Sequence, residues 1–457
     1  MSISPSTERP HGAAPIAPPP RKLIFPEYRT ARLANNCRLI LVEDHTQTLV
    51  SLSVVIKNGA LHEPIAGLAS FTAKMLKKGT VSRSAQTIAA EIDFLGGTLR
   101  VGVDWDATNI SLNVLSEFLD QGLDLMADVL LNPAFNQDDI ERLKRQSIAG
   151  LQQQEVDPAY LSSRALSHGL YAGHPYGHPA MGTQATIASI RPQDCRAWYE
   201  AAIAAGQAFF VAAGDVTEQV ITVMLNARFG GWNNAGTAFA APAAPANLKG
   251  RGVLIAPKKD AVQASVRVGL RAPLHDNPDY VPIQVCNTLF GAMFVSRLSS
   301  KIREEKGYTY GIDSYIDARR HASAIIIGSN FGNAVTTPAM HDLFAELERM
   351  RREAISAEEL DLTRNYLLGS FALRFETPQQ IVGLISILEL YDLPADYYQN
   401  FFERITALDA DALLEVQGRW FDEENLVIGV CGDEAHVRDA LADFGTSHVI
   451  DINKVDV

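Results

Sequence analysis

Cysteine, basic charge and long apolar runs are all scarce in this sequence, and each scarcity excludes a class of protein. Four cysteines, Cys37, Cys195, Cys286 and Cys431, stand singly along 457 residues. No two have metal-ligand spacing, and isolated thiols make no disulfide framework. They are expected as buried, inert side chains. Lysine and arginine number 40 against 53 acidic residues, a net charge of −13 with no basic block. A nucleic-acid partner requires positive charge gathered on one face, so none is expected. The most apolar run, AAIAAGQAFFVAAG from Ala201 to Gly214, is too short and too interrupted to span a membrane. The opening MSISPSTERPHGAAPIAPPPRK has no apolar core of a secretory signal, and residues 1–27 are expected as a disordered, proline-rich leader. These features imply a soluble protein, cytoplasmic by default and periplasmic if a native leader has been removed.

The hydrophobic fraction is 47% and the charged fraction 20%, as in ordinary globular proteins. The chain is long enough for two to four domains of roughly 100–200 residues. The stretch NNAGTAFAAPAAPANLKG, residues 233–250, has no hydrophobic period and is expected as a linker between domains 28–232 and 251–457. The two halves repeat a weak pattern. TLVSLSVVIKNGALHEP and AVQASVRVGLRAPLHDNP each alternate like a strand and end in a turn, and each precedes a helix. Alternating segments follow, GGTLRVGVDWDATNISLNVL and YGIDSYIDARRHASAIIIGSN, then amphipathic helices starting near Asn136 or Asp138 and at Ser356. Strands followed by helices predict two tandem α+β domains, each a mainly antiparallel sheet with helices packed on one face.

One helix raises a question of chemistry. GLASFTAKMLKKGT, Gly67 to Thr80, buries Leu68, Phe71, Met75 and Leu76 on one face. Side chains one turn apart can share a metal ion, and here that pair is Ser70 and Lys74, from which no zinc site is built. The flanks Gly67, Leu68, Ala69, Phe71, Met75, Lys78, Gly79 and Thr80 resemble the inverzincin helix of the pitrilysin and mitochondrial-processing-peptidase family, whose core is H-x-x-E-H. Ser70 and Lys74 stand at the two histidine positions and Ala73 at the catalytic glutamate. The family's third ligand lies on a later helix, where the register puts Ala149 or Gly150; Glu155 is several residues off. The resemblance runs from about residue 30 to the C-terminus and includes HPYGHPAMG, His174 to Gly182. Pro175 and Gly177 keep His174 and His178 from pairing on a helix, so a loop is expected there, and His62 and His168 stand alone.

The second half carries SRLSSKIREEKGYTYGIDS, expected as a helix closed by Gly307 and then a strand. Taken by themselves, Arg303 to Lys306 are a solvated helix face. The resemblance implies a different role, because the family uses an arginine at the end of such a helix and a tyrosine seven positions later to grip bound peptide. The matching residues are Arg303 and Tyr310, with Tyr308 expected on the same strand face.

The resemblance therefore implies a non-catalytic, substrate-binding subunit of a heterodimeric zinc peptidase, forming half of a clam-shaped molecule. No metal or cofactor is expected on this chain. Zinc is expected on a homologous H-x-x-E-H partner, and an unfolded peptide is the expected substrate, lying as an added strand along a sheet edge. Two other readings stay open. One is a structural core protein of the same fold, with a membrane assembly as partner. The other is a hydrolase using Ser70 with Lys74. The glycine-rich loop of the non-catalytic processing-peptidase subunit is missing: FGAMFV, Phe290 to Val295, is too short and too bulky.

Overall fold

The computed structural model describes residues 25–451; the leader up to residue 24 lies outside them. Packing already extends back to Phe25, inside the stretch expected as leader. Its ring is 1% exposed and lies against Phe375 and Tyr398, at centroid distances of 6.0 and 5.0 Å. Burying a phenylalanine side chain stabilises by roughly 1.5–3 kcal/mol, which outweighs the disorder that the neighbouring prolines suggest.

Each half contributes a six-stranded sheet. The first contains β1 (Arg29–Arg32), β2 (Arg38–Glu43), β3 (Leu49–Ile56), β4 (Thr98–Val103), β5 (Thr108–Leu115) and β6 (Ala208–Gly214), in the order β1-β2-β6-β3-β5-β4. The second contains β7 (Arg251–Pro257), β8 (Gln263–Arg271), β9 (Ile312–Ala318), β10 (Ser323–Gly332), β11 (Leu426–Gly432) and β12 (Thr446–Val449), in the order β12-β7-β11-β8-β10-β9. The two orders superimpose strand for strand, so the weak sequence repeat is a structural duplication. Most pairs are antiparallel, with β2–β6 and β7–β11 parallel inside the sheets. Only the outer strand differs: β1 comes from the chain's start and runs antiparallel to β2, while β12 comes from its end and runs parallel to β7.

The strand β5, TNISLNVL, alternates burial with Ile110, Leu112 and Val114 inward, as a half-covered strand should. By contrast, β3 is buried from Val50 to Ile56 because both faces of the sheet are covered there. Each half's own helices pack on one face. The other face is covered reciprocally: helix Pro378–Leu390 of the second half lies on β3 and β6, and helix Pro158–Leu170 of the first lies on β7, β8 and β11. The close approach of that second pair explains Gly429 on β11. A Cβ there would stand 2.4 Å from Leu166 N and from Ser162 O. The linker 233–250 takes no helix or strand. Its Phe239 stacks on His62 at 5.0 Å and against Trp198 at 5.6 Å, so it packs into the first half. All four cysteines are buried and unbridged, and no helix among the described residues is long and apolar enough to cross a membrane.

Candidate functional site: a metal slot without donors and an exposed Arg303–Tyr310 turn

The slot helix spans Leu68–Leu76 and buries Leu68, Phe71, Met75 and Leu76, as its spacing predicts. Its N-cap, Gly67, has φ +87° and presses against Gly182, where a Cβ would meet the Gly182 Cα at 2.7 Å. Glycine supplies no capping oxygen, and Glu63 supplies it from outside the helix. Its Oε1 accepts from Gly67 N and its Oε2 from Ala69 N, both at 2.7 Å. The Glu63 side chain is fully buried, with His178 Nδ1 3.9 Å away. Burial pushes its pKa up to about 8 against the lowering effect of the two N–H donors.

Ser70 and Ala73 are buried on this helix and Lys74 is half-buried. The Ser70 hydroxyl lies 3.4 Å and the Lys74 amine 3.8 Å from the sulfur of Met181. Ser70 thus turns to Met181 rather than to Lys74, which removes the hydrogen-bonded pair that a serine–lysine hydrolase requires. Burial lowers the Lys74 pKa. Helix Gln137–Gln154 brings Gly150 to the same place, and Lys74, Gln146, Ser147, Gly150, Gln154 and Met181 enclose a cavity of about 240 Å³. Helices Leu68–Leu76 and Gln137–Gln154 thus line one cavity between them. Glu155 stays at the helix end and accepts from Gln184 instead. A zinc ion takes thiolate, imidazole or carboxylate donors, usually four of them. This cavity offers amides, a hydroxyl, a thioether and an ammonium, so its residues do not fit the metal. Among the described residues no cluster of three or more His, Cys, Asp and Glu side chains could hold one.

The second half repeats the space. Aligning Leu61-His62 with Leu274-His275 puts Asn287 opposite Lys74, and aligning the N-caps Asn136 and Ser356 puts Ser370 opposite Gly150. Asn287 and Ser370 line a cavity of about 300 Å³ beside β9. The duplication thus preserved the cleft in both halves and metal donors in neither.

Arg303 and Tyr310 lie on the second half. Residues Ser299–Glu305 wind as a wide π-helical turn, with Lys306 N bonded to Lys301 O at 3.1 Å. Gly307, at φ +64°, closes it as predicted. Arg297 fixes the turn through paired 2.8 Å bonds to both carboxylate oxygens of Glu359, which hold the Glu359 pKa down to about 2. The strand begins later than expected. Thr309 spends its hydroxyl on Gly311 O and Asn330 O, and β9 starts only at Ile312. Tyr308 and Tyr310 therefore do not share a strand face: Tyr308 packs half-buried on the core, while Tyr310 is 100% exposed. The Arg303 guanidinium sits 4.0 Å from the centre of the Phe294 ring and donates through Nε to Glu304 Oε1 at 2.9 Å. Phe294 is itself 73% exposed.

HPYGHPAMG is the expected loop, a short turn over Pro175–Gly177. Its Tyr176 is fully buried and donates to Asp106 Oδ1 at 2.6 Å. His174 accepts from Tyr176 N at 3.1 Å, and burial lowers its pKa to about 4. Sequence reasoning missed Glu63, Met181 and Phe294. The signal for Glu63 was a carboxylate four residues ahead of an N-cap with no side chain. Met181 and Phe294 carry no local signal, because their neighbours in the chain do not announce the Lys74 cavity or the Arg303 guanidinium.

A duplicated α+β fold with this slot between its two helices is that of a zinc-peptidase class, here with no metal donors lining the slot. Residues 38–184 match the family described as Insulinase (Peptidase family M16), and residues 189–367 match Peptidase M16 inactive domain. The chain belongs to the M16 family. It is 24% identical over 345 residues to an uncharacterized zinc protease, YmxG, of Bacillus subtilis, covering 75% of this chain and 83% of that one. It is 26% identical over 344 residues to the non-peptidase homolog YmxG of Helicobacter pylori, covering 74% and 78%. Among solved structures, it resembles the peptidase M16 inactive domain from Pseudomonas fluorescens with a TM-score of 0.83 and 25% identity, over 89% of this chain and 98% of that one. A chain of complex III from Candida albicans shares the fold at a TM-score of 0.74 and 14% identity, over 91% and 97%.

Proposed function

We propose that this chain is the substrate-binding, non-catalytic subunit of a heterodimeric zinc peptidase, and that its Arg303 and Tyr310 act on a peptide cut by the partner's zinc site. The observation that carries this reading is the Arg303–Tyr310 segment. A tyrosine that is fully exposed follows an arginine stacked on an exposed aromatic ring, on a chain whose own slot has no metal donors. As a partner's substrate reaches this turn, the guanidinium offers a rigid fork of donors to peptide carbonyls. The phenol offers an O–H to the oxyanion that develops when water attacks the scissile carbonyl. Among the described residues no further strand pairs with β4 or β9 on their outer sides, which leaves these sheet edges to an added strand.

The test mixes this chain with a purified H-x-x-E-H partner and follows cleavage of an unstructured peptide. The partner is expected to be inert alone and active when mixed. Arg303→Ala and Tyr310→Phe are each expected to lower turnover about 100-fold, the usual effect of losing one transition-state donor. A partner equally active alone, with both variants silent, favours the structural core reading.

A further inference from the structure

We propose that the cavity around Lys74 binds a peptide carboxylate, from an aspartate or glutamate side chain or a C-terminus, so that a position built for a cation in active relatives takes an anion here. This deepens the peptide-binding reading above and rests on it.

The argument begins with an ammonium group that has no anion. Lys74 is half-buried, and among the described residues its amine has one polar neighbour, the Met181 sulfur at 3.8 Å, which is a weak acceptor. A charge taken partly out of water is costly unless it is paired. The same cavity carries the amides of Gln146 and Gln154 and the hydroxyl of Ser147, all able to donate to carboxylate oxygens, and no acidic side chain lines it.

The surroundings carry the same sign. Lys74 also lines a neighbouring groove of about 650 Å³ along β4, together with Lys77, Lys78 and Arg100; Asp93 is the one acid there. Lys77 is engaged with Leu99 O at 2.7 Å, while Lys78 and Arg100 have no ion-pair partner among the described residues. On a chain of net charge −13 this groove is a local reversal of sign, which draws an acidic segment to it. Because β4 is a sheet edge, an extended peptide paired there runs beside the groove, within reach of Lys74 for one of its side chains or its end.

The experiment uses the full chain and three labelled, unstructured peptides read by fluorescence anisotropy. One has a central glutamate and an amidated C-terminus, the second has glutamine in its place, and the third is the glutamine peptide with a free C-terminus. A carboxylate peptide is expected to bind about tenfold tighter than the glutamine amide, the worth of one charge-assisted hydrogen bond. Which of the two carboxylate peptides shows the gain identifies the source. Lys74→Met is expected to erase the gain while keeping both the affinity for the glutamine amide and the melting temperature, and Lys74→Arg to retain it. Equal binding of all three peptides, or a gain that survives Lys74→Met, overturns the anion site and leaves the peptide-binding reading standing. If none of the three binds, with or without the zinc-bearing partner, both fall.

Discussion

Phe294 holds 73% of its surface in water, and the guanidinium of Arg303 lies over its ring at 4.0 Å from the centre. Such a contact is worth about 0.5–1 kcal/mol at an exposed site. Phe294→Ala is therefore expected to lower turnover of the mixed complex about two- to fivefold with no change in melting temperature, and Phe294→Trp to restore it. Equal activity in all three proteins, or a fall in melting temperature that tracks the fall in activity, would remove its positioning role. Glu63 acts on stability instead. Its folded pKa of about 8 exceeds that of an ordinary glutamate near 4.5, so the folded state keeps a proton that the unfolded chain releases. Its contribution is complete below about pH 4.5 and is lost as pH rises toward 8, by at most about 1.4 kcal/mol per pH unit. Urea midpoints measured from pH 5 to 8 should fall with this slope in the native protein, and Glu63→Gln should flatten it. A slope unchanged by the substitution rules Glu63 out as its source.

At the scale of elements, the reciprocal helices set the tightest tolerances. Helix Pro158–Leu170 approaches β11 so closely that a Cβ at Gly429 would stand 2.4 Å from helix backbone, and backbone cannot rotate aside as a side chain does. Gly429→Ala is expected to cost about 1–3 kcal/mol, the usual penalty of overpacking, and to lower the melting temperature by several degrees. Gly418, inside helix Ala410–Trp420, has no atom within 4 Å of its would-be Cβ. Gly418→Ala should stabilise by up to about 1 kcal/mol through helix propensity. Calorimetry on the pair decides the matter: equal shifts would mean that helix and sheet are not in the contact described. The slot helix shows the opposite economy. With glycine at its cap, it borrows its capping carboxyl group from Glu63.

For the whole molecule, neither half completes its own core. Helix Pro378–Leu390 covers a face of the first sheet, helix Pro158–Leu170 covers a face of the second, and Phe25 is buried among second-half rings. A polar clasp joins the halves as well. Asp106 accepts from Tyr176 at 2.6 Å and from Arg320 N at 2.8 Å, and the Arg319 guanidinium stacks 3.6 Å from the Trp105 ring. Residues 1–232 and 251–457 expressed apart are thus expected to stay unfolded, and the intact chain to unfold in urea as one transition by fluorescence and by circular dichroism. A cooperatively folded isolated half would show that the exchanged helices are dispensable.

Much of this architecture was legible in the sequence. Period-2 and period-3.6 patterns in β5, the slot helix and the capped helix after Ser356 come from local side-chain alternation and local hydrogen bonds, which neighbouring residues specify. The duplication was legible because both halves repeat that order, and the family resemblance because Gly67, Leu68, Ala69, Phe71, Met75, Lys78, Gly79 and Thr80 flank Ser70, Ala73 and Lys74 in one short stretch. Contacts between residues distant in the chain were not legible. Nothing near Gly429 announces helix Pro158–Leu170, nothing near Phe25 announces Phe375, and the late start of β9 depends on Thr309 reaching Asn330. Residue identity by itself determined that Ser70, Ala73 and Lys74 carry no imidazole or carboxylate. Only tertiary structure decided which helix covers which sheet, that Lys74 and Gly150 share one cavity, and that Tyr310 stands in water while Tyr308 does not, because burial and charge pairing are properties of the space around a side chain.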